Sequence, residues 1–349
     1  MSTPSRRTFL KDSGFLVVTL VIAPSLSETN TQRLGLAIAY SLVMLSMVLL
    51  TGYGGYVSLA QIAFMGIGAV VVCKMNTTSP FAIVAAALLA AAVGAVVALP
   101  VIRLTGLYLA LATLAFAQLM DKLIFQQTWA FGFNGSLNAK RMSLFGLNFT
   151  SSRSYVVMMT IVFVVVGIGL LSLRRGSIGR LLIAMRDSPA ACGTLGLNQR
   201  WFRVGLFATS AGIAGLAGAL IAGLRGTVSV NDFQPLQGLL LLLLAVACGV
   251  TSITGAWLGG LLLMLLPVLQ SQYKSLGGLE FLIIGVAAIS LGRDPNGIAN
   301  HLFNFGRFLG RSLGLLSSKP APTRKPAHVH EESELTGLET EQVAGHGIA

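Results

Sequence analysis

The sequence predicts an all-α polytopic membrane protein of about ten transmembrane helices, and three observations carry that prediction. Apolar residues make up 54% of the 349 and charged residues only 10%. With a mean hydropathy of +0.78, the chain lies far from the balance of a water-soluble domain. Apolar runs of about 20 residues, long enough to cross the hydrocarbon core as helices, recur from near the N-terminus to Gly292. The runs are continuous and do not alternate, which favours helices, each satisfying its own backbone groups, over a β-barrel.

In chain order the spans fall at 14–26, 34–52, 53–73, 81–102, 104–125, 155–173, 204–223, 237–251, 255–270 and 279–292. The first is short enough to lie at the membrane surface, and 237–270 reads either as two helices or as one broken helix. A basic segment, 1–13, precedes this membrane region of 14–292, and a tail, 293–349, follows it. Lys and Arg gather on the cytoplasmic side of membrane spans. Arg6, Arg7 and Lys11 therefore place the N-terminus inside. Arg174, Arg175, Arg180, Arg186, Arg200 and Arg203 place the loop 174–203 inside, and Arg293, Arg307 and Arg311 do the same for the C-terminus. Ten spans satisfy all three; the loop 126–154, with Lys140, Arg141 and Arg153, is the exception. The net charge of +12 then reads as membrane orientation and contact with anionic lipid, with no role in nucleic-acid binding.

The two ends are read separately. SRRTFLKDSGFLVV resembles a twin-arginine export signal, but membrane spans follow it, so the paired arginines read as a cytoplasmic flank. After Ser317 the polar, proline-containing run KPAPTRKPAHVHEESELTGLETEQ reads as a disordered tail.

The residue patterns of enzyme chemistry are missing. Cys73, Cys192 and Cys248 are scattered, and His301, His328, His330 and His346 all lie beyond the last span, so no metal or redox centre is expected. The sequence holds no GxxxxGK[ST] loop, and any ATP used must be bound by another chain. Asp121, Lys122 and Glu280 sit at span ends, and no Asp, Glu or Lys lies clearly at a membrane centre, which weighs against an ion-coupled carrier. A membrane-embedded enzyme is disfavoured by the lack of a convergent acid, base, nucleophile or metal set.

What the spans do carry is glycine and a few uncharged polar groups. TGYGGYVSLAQIAFMGIGAV, from Thr51 to Val70, has glycine at 52, 54, 55, 66 and 68, with Ser58, Gln61 and Phe64 between. Such density permits close helix approach, an interrupted helix lining a path, or simple packing. LTGLYLALATLAFAQLM, from Leu104 to Met120, adds Tyr108, Thr113 and Gln118. These residues, with Gly66 and Gly68, are the candidate translocation path.

A third stretch, GRLLIAMRDSPAACGTLGLNQRWFR from Gly179 to Arg203, concentrates charge and helix-breaking residues between apolar runs. Gly179 opens a short helix on which Leu181, Leu182 and Met185 share a face while Arg180 and Arg186 stay solvated. Asp187-Ser188-Pro189 ends it and starts another, with Ser188 as N-cap, Pro189 at the first helical position and Gly196 closing the turn. Two short helices at an angle make a rigid knuckle.

The three stretches and their order resemble the LivM-type permease subunits of branched-chain amino-acid ABC importers. GYGGYVSLAQIAFMGIGA is similar to that family's glycine-rich run, and LTGLYLALATLAF to its LxGLYLAxxTLAF helix. GRLLIAMRDSPAACGTLGLN is similar to its G-R-x-L-x-A-x-R-D loop, and LFATSAGIAGLAGAL, Leu206 to Leu220, to its AFATSAGIAGLAG. The resemblance covers about residues 34 to 292.

It implies an ABC importer permease bundle with both termini cytoplasmic in a bacterial inner membrane. The loop 174–203 would dock on the ATPase through Gly179, Arg180, Leu182, Met185, Arg186, Asp187, Ala191 and Gly196, the apolar face entering a groove and Arg186 and Asp187 fixing its orientation at the rim. The implied partners are a second, LivH-type permease chain, two ATP-binding cassette subunits, which hold the ATP and magnesium, and a solute-binding protein; this chain would bind no cofactor or metal. Branched-chain amino acids lead as solute. Urea or short amides, which relatives of this permease carry, and a stand-alone facilitator or channel are the alternatives. The chain departs from the family pattern at AACGT in the second short helix, at CGVTSITGAWLGG before the ninth span, at FGFNGS outside, and at Gln118, where the family has an acidic residue.

Overall fold

The computed structural model describes residues 28–272, apart from 78, 102, 142, 145–146, 149–150 and 195–197. The expected spans 14–26 and 279–292, the basic N-terminus, the tail and Gly196 lie outside the described residues. Among the described residues, five helices are long and apolar enough to cross a membrane. These are Glu28–Tyr53, Phe81–Val101, Leu107–Phe125, Ser152–Arg175 and Gln199–Arg225.

The chain opens with α1 (Glu28–Met47), which widens into a π-helical turn, Val48–Tyr53. It is apolar and buried on every side from Ala37 onwards, the pattern of a helix at the centre of a bundle. Next come α2 (Gln61–Met75), α3 (Phe81–Val101) and α4 (Leu107–Leu119), the last ending in a second π-helical turn, Met120–Phe125. A short α5 (Thr128–Phe131) and β1 (Ser136–Asn138) follow, then a small hairpin of β2 (Ser143–Leu144) and β3 (Leu147–Asn148). α6 (Ser152–Arg175) leads into the short α7 (Ser177–Asp187) and α8 (Pro189–Thr194). α9 (Gln199–Arg225) runs back to β4 (Thr227–Ser229) and a 3₁₀ turn, Val230–Phe233. The described chain closes with α10 (Pro235–Gly249) and α11 (Ile253–Gln272), so the 237–270 stretch is two helices.

α9 is the organising helix and packs on α3, α2 and α1, while α1 also meets α11 and α6. Small residues make the contact with α3 close. Ala82, Ala86, Ala90, Gly94 and Ala98 recur every fourth position on its buried stripe, while Leu88, Leu89, Val96 and Leu99 point away from the body. Without a hydrophobic driving force between helices in lipid, such close packing supplies the attraction.

Two departures from the expected elements matter for the site. The span expected at 53–73 does not begin as a helix: residues 54–60 are unwound and α2 starts at Gln61, so the interrupted-helix reading of the glycine run is the one observed. Gly55 supplies the turn with φ of 74°, a conformation that glycine adopts without steric cost. The loop 126–154 also carries structure that hydropathy does not reveal. β1 pairs antiparallel with β4, Leu137 opposite Val228, and ties this loop to the end of α9.

α6 and α9, at 24 and 27 residues, are each about 36 to 40 Å long. They separate two ends of the bundle. One holds the unwound segment, α7, α8 and the turn between α10 and α11; the other holds β1, β4 and the 3₁₀ turn.

Candidate functional site

At the first end, the π-helical turn and the unwound segment after it meet α6, α7, α9 and the turn between α10 and α11. The last carbonyls of a helix lack intrahelical partners, and that of Gly52 accepts a hydrogen bond from Arg186 Nη1 of α7 at 2.8 Å. A side chain at Gly52 would run into the carbonyl oxygen of Val250, in the turn between α10 and α11. Arg174 Nη1 donates to the carbonyl of Thr251 in the same turn at 3.4 Å, and its guanidinium lies 5.1 Å from the ring of Tyr53. Arg203, near the start of α9, sits 5.2 Å from the ring of Tyr56. The sequence reads these arginines as topological markers and gives no sign of their contacts with the π-helical turn and the unwound segment.

The two short helices form as their sequence dictates, with Pro189 opening α8. The turn from α6 into α7 depends on Gly179, where any side chain would meet the carbonyl of Arg174. The apolar face of α7, however, does not point outward. Leu182 and Met185 are each only 4% exposed, packed into this chain's own body. The expectation that this face enters a partner's groove is therefore corrected: an amphipathic helix beside a bundle buries its apolar stripe on the nearest apolar surface, here its own chain. Arg186, Asp187 and Arg180 are exposed, Arg186 turning its guanidinium to the Gly52 carbonyl and Arg180 donating to Ser177 Oγ. Ala191 lies within α8. An apolar cleft of about 340 Å³ between α6, α7 and α9 keeps Ile178 and Trp201 at the surface, 48% and 69% exposed.

Of the path candidates, the structure gathers six around the break. Gln61 is fully buried; its Nε2 donates to Ser210 Oγ (3.1 Å), its Oε1 accepts from Ser46 Oγ (3.0 Å), and Ser210 donates to the Ser46 carbonyl (2.8 Å). This network links α1, α2 and α9. Ser58 Oγ accepts from the Ala60 amide (3.3 Å). Thr113 Oγ1 accepts from the Leu59 amide (3.0 Å), giving a partner to a backbone donor that the unwinding releases. Phe64 packs on Phe116, ring centroids 5.5 Å apart, and Gly66 lies against the ring of Phe125. Gly68 sits against the backbone carbonyl of Gly215, where α2 and α9 cross. Tyr108 is set apart, 72% exposed on the outer face of α4. Gln118 is exposed too and lines a polar cavity at the opposite end of the bundle. Ser46 and Ser210 escaped the sequence reading, because a serine in an apolar helix does not announce its partner.

That cavity, about 310 Å³, lies between the second π-helical turn and the 3₁₀ turn before α10. Asp121 and Lys122 share a salt bridge across 3.1 Å at its wall. Nearby, Asp232 bonds Arg225 (2.6 Å) and the Ser229 amide (2.9 Å), fixing the 3₁₀ turn.

Broken helices among close-packed helices recur in transporter bundles. Residues 31–291 match the family described as the branched-chain amino acid transport system / permease component. The chain belongs to that family. It is thus a multi-pass membrane protein and a permease component of the ABC transporter class, not itself an enzyme. The high-affinity branched-chain amino acid transport system permease protein LivM of Escherichia coli K12 is 28% identical over 316 residues, covering 79% of this chain and 73% of that protein. Its counterpart in Salmonella typhimurium LT2 is 27% identical over the same shares. No solved structure matches. The family match includes the broken segment, the knuckle and the polar cavity within one stretch.

Proposed function

We propose that this permease is one half of the membrane pathway of an ATP-driven importer for branched-chain or related amino acids in a bacterial inner membrane. A solute-binding protein delivers the solute outside, a second permease chain completes the pathway, and two ATP-binding cassette subunits bind ATP and magnesium inside. The observation that carries this reading is the hydrogen bond from Arg186 to the Gly52 carbonyl. It joins the knuckle, on which the cassettes act, to the break in the helix that borders the path. Movement of α7 and α8 when the cassettes close shifts the break between two packings, and the outward- and inward-open states exchange. The partner meets the outer side of the knuckle, where Arg180, Asp187, Ile178 and Trp201 are exposed.

The test is purification of the tagged chain in mild detergent, with the associated chains identified by mass. The expected result is a second permease chain and nucleotide-binding subunits in fixed ratio. Isolation of this chain alone, with solute flux that needs no ATP, would instead assign a stand-alone facilitator.

A further inference from the structure

Asp121 is unusual for its surroundings. Acidic residues number 12 in the whole chain, and this carboxylate is buried, its side chain 7% exposed, at the end of a membrane-length helix. Among the described residues its ion-pair partner is Lys122, which is 64% exposed and reaches Asp121 Oδ2 at 3.1 Å. The amides of Gln118 and Asn231 stand round the same cavity, and Val230 and Leu236 provide an apolar wall. The volume, about 310 Å³, falls at the small end of the range for ligand pockets.

We propose that this cavity is an entry subsite for a zwitterionic α-amino acid, on the side of the bundle opposite the knuckle. The inference rests on the transport reading and names the solute chemistry of that same path. The cavity holds one positive and one negative group beside neutral amides, so its charge is complementary to that of a zwitterion. An α-ammonium group replaces Lys122 at Asp121, donating to the same carboxylate. Lys122, on a flexible four-carbon stem, then turns to the α-carboxylate. A half-exposed ion pair contributes little by itself, so the exchange has a low cost. The amides of Gln118 and Asn231 hydrogen-bond the carboxylate and ammonium, and the apolar wall receives an aliphatic side chain. A monocarboxylate that draws Lys122 away leaves the buried Asp121 carboxylate without a partner, which is unfavourable, whereas a simple amine leaves unpaired only Lys122, which is exposed to water. Urea and short amides have no use for the pair.

The experiment uses the complete importer, isolated through this chain and reconstituted in proteoliposomes, with L-leucine as the probe. Uptake of L-leucine is measured for the wild type, Asp121→Asn and Lys122→Gln, with inhibition by isocaproate and isoamylamine as half-zwitterions. Each variant is expected to lower leucine uptake per transporter by about tenfold or more, the loss of one charge-assisted hydrogen bond. Isocaproate is expected not to inhibit, and isoamylamine to inhibit less than an equal concentration of unlabelled leucine. Lys122, being exposed, can change without disturbing the fold, so Lys122→Gln keeps the test decisive if Asp121→Asn is poorly expressed. Leucine uptake within about twofold of wild type for Lys122→Gln would overturn the subsite and leave the transport reading intact. A wild-type importer that moves acetamide or urea but no amino acid would overturn both.

Discussion

At the scale of single residues, the helix crossings predict an order of tolerance. Gly68 faces the backbone carbonyl of Gly215, which cannot move aside, whereas Gly66 faces the Phe125 ring, which can turn. Gly68→Ala is therefore expected to destabilise the bundle by about 1 to 3 kcal/mol, and Gly66→Ala by less; thermal unfolding of the two purified variants checks the order. Leu182 makes a second case. Because it is buried within its own chain, Leu182→Ala acts first on stability, at about 2 to 5 kcal/mol, and lowers the folded yield even where no ATPase is present. A folded yield and melting temperature equal to wild type would return Leu182 to a role at a partner surface. The sequence did reveal that Leu182 and Met185 share a face of a short helix. It did not reveal which surface that face meets, since amphipathicity records a preference for apolar contact and says nothing of which chain provides it.

At the scale of elements, the central feature is the interruption between α1 and α2. Its cause was legible in the glycines at 52, 54 and 55, but its position depends on contacts from distant elements: Thr113 on α4, Arg186 on α7 and Val250 beyond α10. None of these is encoded in local periodicity, which is why continuous hydropathy across 34–73 reads as two plain spans. The short strands β1 and β4 were illegible for the same reason, since three-residue segments far apart in sequence pair only once the helices bring them together. The break has a testable dependence on Thr113. Thr113→Val leaves the buried Leu59 amide without its acceptor and is expected to cost about 1 to 3 kcal/mol, while Thr113→Ser keeps the acceptor and costs less. Hydrogen exchange at residues 54–60 checks this, with faster exchange expected in the valine variant alone.

At the scale of the whole molecule, the two ends of the bundle differ in structure. The arginines of the knuckle and the unwound segment mark one end, and the β1–β4 pair, the 3₁₀ turn and the polar cavity mark the other. With the first end cytoplasmic, a cysteine placed at Ser177 is protected from an impermeant reagent in intact cells, and one at Ser136 is labelled; the opposite pattern would invert the topology. The arginine count predicts an orientation because positive charge biases whole loops towards the cytoplasmic side, whereas coupling requires a specific contact. The measurement that tests that contact most directly is the ratio of ATP hydrolysed to solute moved by the complete importer carrying Arg186→Gln, with Arg186→Lys as the variant that retains charge. If Arg186 transmits knuckle movement to the break through Gly52, Arg186→Gln keeps its ATP hydrolysis and loses about tenfold or more in solute moved per ATP, as expected for removing a hydrogen bond from a charged donor. A ratio equal to wild type, in a variant of normal abundance, would contradict the account.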